Sequence, residues 1–485
     1  MAREFVHVRL ESEQFPCEHV QIHKLEGREA ISRLFSFDIG IVCFRPDELD
    51  PAAMEGADVT VVFELEGAEI RRIHGMIAEI HDMLDSEPET RSFRIRVVPR
   101  AFRLTLIETQ EIYMDLSVPE IIQKKLELVG LDGATDFELR LMGTYPPLEF
   151  VVQYKESDLA FISRLTEHIG VSFFFEHTRG RDTIVFTDHK DGFRPVAGKA
   201  TAAFRSRGEG RDVYQIESRT RLIPKTYVLQ DYNYRTPQVD LSDSAAAPSG
   251  FAGGIVEYGA HVKTLEAAKA LAQIRAEEHE AAHRVYSGKS DLSELAAGAV
   301  FTLEHHPRLA AKDTKMLLVE VDHLMTQAVG MMGGDSELSY KNSFRATSAT
   351  LTYRPPRVTP KPRIFGLITG TVEPELLGDE SKFAKIDEDG RYIVRFLFDT
   401  APAGERKASR PVRMIQPHAG PNYGMHFPLK PGIEVLLGFI DGDPDRPLIV
   451  GSVPNPVTPS PVTRPNLVMN RIKTETGILI EMKDS

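Results

Sequence analysis

Three short apolar runs, Val412 to Ile415, Val435 to Ile440 and Leu448 to Val453, constrain the possible folds of this chain most tightly. Each is bounded by Gly, Pro, Asn or Asp, which is the punctuation of strands and turns. Upstream, Arg391 to Phe398 alternates polar and apolar residues after an Asp389-Gly390 turn, the pattern of a half-buried hairpin strand. Residues 363–456 are therefore expected to close into a β unit of about five strands, with an OB-fold barrel as the natural candidate.

The same stretch carries a motif series: Tyr423-Gly424-Met425, Phe427-Pro428, Pro431-Gly432-Ile433-Glu434-Val435 and Gly442-Asp443-Pro444-Asp445-Arg446-Pro447. It resembles the VgrG family, the spike proteins of type VI secretion systems, which are similar to the hub and spike of contractile phage tails fused into one chain. Two further stretches carry the resemblance towards the N-terminus. They are Leu34-Phe35-Ser36-Phe37-Asp38-Ile39 and the run from Tyr154-Lys155-Glu156-Ser157-Asp158-Leu159 to Phe173-Phe174-Phe175-Glu176. The resemblance implies a mainly β fold with α+β insertions. Residues 1–360 would form a tail-hub-like domain of two β-barrels with helical additions, and 363–456 the OB-fold spike domain. A Pro-rich connector, 457–470, would lead to the first strands of a trimeric β-helical needle at 471–485. Only those first needle strands fall within the sequence.

The expectations for function follow from the family. They are a homotrimer seated on a hexameric tube protein, baseplate components as neighbours, and a PAAR-type tip protein and effectors as cargo. Contact with a target membrane would be limited to transient puncture. Neither a cofactor nor an enzymatic activity is implied. Tyr423, Gly424, Pro428, Gly432, Glu434, Gly442, Asp443, Pro444, Asp445, Arg446 and Pro447 are read as structural and interface residues. Assembly is expected in the bacterial cytoplasm, followed by delivery through the injection machinery. A phage-tail or extracellular injection-particle spike would share this architecture.

Composition agrees with that picture. A formal net charge of -13 disfavours nucleic acid as a partner, because phosphate binding needs concentrated positive charge. Cys17 and Cys43 are too few for a disulfide framework, which points to a reducing compartment. The N-terminus, Met1 to Phe5, lacks the apolar core of a secretory signal.

Along the chain, Val6 to Leu10, Val59 to Leu65, Ile70 to His74 and Ser92 to Val98 alternate as strands do. Helices are predicted at about 118–130, at Ser157 to His168 with Leu159, Ile162, Leu165 and Ile169 as its stripe, and from a Thr264 cap onward with Leu265, Ala268, Leu271, Ala272 and Ile274 inward. Strands resume at Val300 to Glu304, Met316 to His323 and Ala349 to Tyr353, before prolines 355, 356, 360 and 362 mark a boundary.

One motif competes with the spike reading. His279-Glu280-Ala281-Ala282-His283 is a literal HExxH, in which two histidines four apart share a helix face and could bind Zn²⁺ while Glu280 activates water. Charged Glu277 and Arg284 flank it, and the bland reading is a solvated helix end, so a zinc hydrolase is the alternative and not the main expectation. Asp441, Asp443 and Asp445 alternate as in a calcium loop, but Arg446 and Ser452 replace the Gly and Glu that such a loop needs. Arg446 is expected to pair with a carboxylate instead.

Overall fold

A computed structural model of the chain describes residues 6–84, 89–178, 180–205, 207, 210–329, 339–375, 382–401 and 408–484. Met1 to Phe5, read above for a leader, and Ser485, the end of the needle segment, lie outside the described residues. The chain divides into two units. The first holds Met1–Ile107, Pro119–Tyr145 and Asp158–Pro360, and the second Glu108–Val118, Pro146–Ser157 and Lys361–Ser485.

The first unit is built on a 12-stranded sheet. Six strands open it: Val6–Glu11 (β1), Val20–Ala30 (β2), Ser36–Cys43 (β3), Asp58–Leu65 (β4), Ala68–Met83 (β5) and Arg91–Val98 (β6). They lie in the order β1-β4-β5-β6-β3-β2. The sheet continues through Lys315–Thr326, Ser339–Ser348, Arg284–Ser290 and Val213–Thr220. Alternation dictates the faces. In β1, Val6, Val8 and Leu10 are buried while His7 and Arg9 point outward, and in β6 Phe93, Ile95 and Val97 turn inward while Arg94 and Arg96 face solvent. On that outer surface Arg96 pairs with Asp38 at 2.9 Å and Glu79 at 2.8 Å.

The run of six curls on itself, and its ends are joined by a side chain where a ladder is lacking. Val8 N–H donates to Gln327 Oε1 at 3.2 Å, and Gln327 Nε2 donates back to Val8 O at 3.0 Å. The Gln327 amide thus imitates a strand neighbour and satisfies an edge that would otherwise be left open. Gly27 lies directly under the Phe37 ring, where an added Cβ would come within 2.1 Å of the ring carbons, so only glycine permits that approach.

A second core in this unit gathers Val213, Tyr286, Leu292, Phe301, Leu318 and Phe344. The helices Val118–Leu128, Asp158–His168 and Leu265–His283 fall where the periodicity places them. Two details differ. Helix Asp158–His168 is buried over most of its surface, with Arg164, Thr166 and Glu167 inside as well as Phe161, Ile162 and Leu165. Leu265 is exposed, because it sits at the first position beyond the Thr264 cap while Ala268, Leu271, Ala272 and Ala276 form the inward face. The strand expected at Ala349 to Tyr353 is absent. The ladder ends at Ser348, whose hydroxyl meets that of Thr350 at 2.8 Å in a local turn that competes with further pairing.

The second unit contains a four-stranded sheet ordered Val394–Phe396, Ile368–Val372, Glu434–Phe439, Pro447–Ser452. The expected fifth element, Val412 to Ile415, closes it through single bridges, Tyr392 to Val412 and Met414 to Ile449. Residues 108–113 and 151–157, which the sequence reading left among the first 360, form a hairpin-like pair here. From it Ile112 and Val152, with Phe150 just before the second strand, enter the core with Val394, Val435, Leu437 and Ile449. Beyond the connector, Met469–Lys473 and Leu479–Lys483 pair as an antiparallel hairpin. Among the described residues, no helix is long and apolar enough to cross a membrane.

Candidate functional site

The motif residues form two structures in the second unit, a tight loop and an exposed apolar surface. The loop follows strand Glu434–Phe439, where Asp441 and Gly442 both take positive φ, 53° and 70°. That conformation favours glycine at 442, whose carbonyl accepts the Ile364 N–H at 2.8 Å. Asp443 Oδ1 then accepts the Asp445 N–H at 3.0 Å, an Asx turn that Pro444 supports by fixing φ. Arg446 enters through its backbone, its N–H donating to Asp443 O at 2.9 Å and its O accepting from Ile440 N at 3.0 Å. Pro447 starts the next strand opposite Phe439.

The cation between the two loop carboxylates is Lys361, a residue that sequence reasoning missed. Its Nζ lies 2.6 Å from Asp443 Oδ1 and 2.7 Å from Asp445 Oδ2. Asp445 Oδ1 also accepts the Val152 N–H at 2.7 Å, so this one side chain binds the loop to the 151–157 strand. Partial burial alone would lower the Lys361 ammonium, but Asp445 and Asp443 outweigh it and hold its pKa above the ordinary lysine value. The calcium-like alternation of aspartates is thus served by the chain's own ammonium group. A lone charge between Pro360 and Pro362 was the available signal. Replacing Lys361 by Met should cost about 1–2 kcal/mol, since the carboxylates are sheltered but the lysine itself is substantially exposed. Urea melts of the parent and variant at neutral pH would measure it. Because the lysine pKa is raised on folding, its contribution is full below about pH 10.5 and fades as pH climbs through the folded-state value.

Tyr423 and Gly424 lie on a short hairpin with Ala419 and Gly420, and Gly424 has φ of 149° and no room for a Cβ beside His418 O. Tyr423, Met425, Phe427 and Pro428 are exposed. Gly432, at φ 73°, makes the turn into Glu434, whose carboxylate accepts from Asn455 Nδ2 at 3.0 Å. Elsewhere on this unit Phe365, Leu367, Phe383 and Leu397 are also exposed, Phe365 at 86%. The terminal hairpin is the extreme case, with Ile472, Ile480 and Met482 on one face and every residue of Leu479–Lys483 exposed. Apolar surface of this extent is uncommon on a monomer and marks an interaction face.

The HExxH residues sit at the end of helix Leu265–His283 in the first unit, each in a structural contact. Glu280 accepts the Ser249 N–H at 3.0 Å and the Ser249 hydroxyl at 2.5 Å. The His279 ring stacks on Tyr227 with centroids 4.7 Å apart. His283 Nδ1 meets Arg221 O at 2.9 Å, so the imidazole donates there.

Comparison with known proteins gives these parts a context. Residues 28–329 match the phage tail baseplate hub (GPD) family, and residues 384–453 match the type VI secretion system/phage-baseplate injector OB domain. The chain is 30% identical over 463 residues to the type VI secretion system spike protein VgrG4b of Pseudomonas aeruginosa, covering 92% of this chain and 56% of that protein. It is 31% identical over 449 residues to VgrG5 of the same organism, covering 89% and 55%. The chain therefore spans little more than half the length of these relatives. Among solved structures, it is similar to the E. coli c3393 protein, a type VI secretion component, with TM-score 0.66 and 24% identity over 92% of this chain and 99% of that one. The Francisella PdpA-VgrG complex gives TM-score 0.64 at 8% identity over 99% and 83%.

Proposed function

The chain belongs to the phage tail baseplate hub family, and from that premise we propose that it acts as the homotrimeric hub and spike of a type VI secretion system. The first unit is the hub, which seats on a hexameric tube protein and meets baseplate components. The second unit and its terminal hairpin are the beginning of the spike, which leads a transient puncture of the target envelope. A PAAR-type tip protein and effectors are its cargo, and the solved complex of a VgrG with PdpA supports a carrier role of this kind. Assembly takes place in the bacterial cytoplasm, with delivery by the injection machinery.

One observation carries this reading: the terminal hairpin, with its exposed Ile472, Ile480 and Met482. A two-stranded hairpin is marginal alone in water. Three copies wound about one axis would cover the apolar face and supply partners for the strand edges. Sedimentation or native mass measurements on the full chain test the stoichiometry directly.

The zinc-hydrolase alternative makes a separable prediction. Glu280→Gln keeps an acceptor for Ser249, so assembly and secretion should match the parent protein, with stability changed by no more than about 1 kcal/mol. If the variant instead lost a zinc-dependent cleavage activity that the parent displays, while still assembling, the helix end would be catalytic.

A further inference from the structure

Inside the hub unit lies a cluster that the spike reading does not use. Glu29 of β2 faces Arg71 of β5 in a largely buried ion pair, and Arg71 Nη1 also donates to Ser293 O at 2.9 Å and Leu295 O at 3.0 Å. His323, buried in strand Lys315–Thr326, places Nε2 at 2.9 Å from Glu29 Oε1 and Nδ1 at 2.6 Å from the Tyr340 hydroxyl. His177, in strand Ser172–Thr178, accepts the His74 backbone N–H on Nδ1 at 3.0 Å. Its Nε2 is sealed from solvent and has no hydrogen-bond partner. The Phe35 ring stands edge-on to His177 and the Phe37 ring lies against His323.

These contacts fix both imidazoles in their neutral forms. With the Tyr340 hydroxyl oxygen accepting from Asn342 Nδ2 at 3.2 Å, its own proton is directed to His323 Nδ1, and the neutral ring carries its proton on Nε2, beside Glu29. With His177 Nδ1 accepting from a backbone N–H, the ring proton must be on Nε2. A second proton would have to enter at Nδ1 in each ring. At His177 it would meet an N–H that cannot reverse its role, and the resulting cation would lie near Arg71 with its Nε2–H still unpaired.

We propose that this sealed imidazole cluster is an acid-sensitive latch: in mildly acidic surroundings the opened chain takes up protons that the buried His177 and His323 rings cannot hold, so the bonds that tie five strands of the hub together are lost by opening and the unit loosens. The groups facing it are Glu29, Arg71, His74, Asp322, Tyr340 and Asn342. Burial, with Arg71 nearby, pushes His177 down to about 3 despite the attraction of Glu29, and burial lowers His323 as well. Burial alone would raise the Glu29 carboxyl, but Arg71 and His323 outweigh it and hold it at about 2. A histidine depressed on folding leaves stability intact above its ordinary value near 6.5 and erodes it as pH falls below that. Glu29 contributes its loss only below about 4.5, so the interval between those values belongs to the imidazoles. At pH 5 His177, neutral in the folded state, should raise the unfolding equilibrium constant roughly 30-fold, and His323 adds to the loss in the same direction.

The test is urea unfolding of the full chain at pH 7.5 and 5.0, comparing the parent with His177→Gln/His323→Gln. Glutamine keeps a carbonyl to accept the His74 N–H but cannot take up a proton. The parent should lose at least about 30-fold more of its folding equilibrium than the variant between the two pH values, and equal losses would overturn the proposal. Should the variant fail to fold at pH 7.5, hydrogen exchange of the parent decides. Corrected for intrinsic rates, peptides covering β2, Ser172–Thr178, Lys315–Thr326 and Ser339–Ser348 should lose protection at pH 5.0 ahead of the rest of the hub. Undiminished protection there would overturn it.

Discussion

Lys125→Met should lower the stability of the hub unit by about 3–5 kcal/mol, the cost of removing one partner from a fully buried ion pair. Lys125 Nζ lies 2.8 Å from Asp158 Oδ1, with side-chain exposures of 1% and 0%. The pair joins helix Val118–Leu128 to the first turn of helix Asp158–His168, where a carboxylate is also favoured by the helix dipole. Removing the ammonium leaves a carboxylate in the interior without its cation. Asp158→Asn should be similarly damaging, because a buried lysine then loses its carboxylate. The double replacement Lys125→Met/Asp158→Leu should recover much of the loss, since apolar substitutes for both partners avoid desolvating charge. Thermal melts of the three variants check this, and additive single effects would argue against a coupled pair. The prediction also gives physical content to one family-like stretch, because Asp158 lies in the Tyr154 to Leu159 run that carries the resemblance.

Ile480→Asp should convert the proposed trimer into monomers. Ile480 pairs with Ile472 across the terminal hairpin, and both belong to the apolar face that sister copies are proposed to cover. Three carboxylates brought to one axis would each have to be desolvated beside like charges, at a cost of at least about 2 kcal/mol per copy. Arg471 and Glu481 occupy the opposite face, paired at 2.6 Å, so Glu481→Gln serves as the control and should leave assembly within threefold of the parent. Light scattering over a dilution series would separate the two variants.

The features legible in the sequence were those that local pattern controls. Alternation exposed β1, β4 and β6, a Thr264 cap located the long helix, and glycines at 432 and 442 marked turns that positive φ requires. Contacts between residues far apart in the chain left no such trace. Gln327 closing on Val8, Lys361 settling between Asp443 and Asp445, and Val152 entering the second unit's core all depend on long-range folding. Lys125, His177 and His323 are polar residues in the interior, and nothing in their immediate neighbours separates them from solvated ones. The HExxH motif is the reverse case: a short pattern suggests chemistry, and the fold also gives Glu280 a contact with Ser249 and His279 one with Tyr227.

The most direct test of the spike reading is native mass spectrometry of the full 485-residue chain, which reports stoichiometry and bound metal in one spectrum. A metal-free trimer is the predicted species. A monomer that persists as concentration is raised, above all one carrying a single zinc, would contradict it.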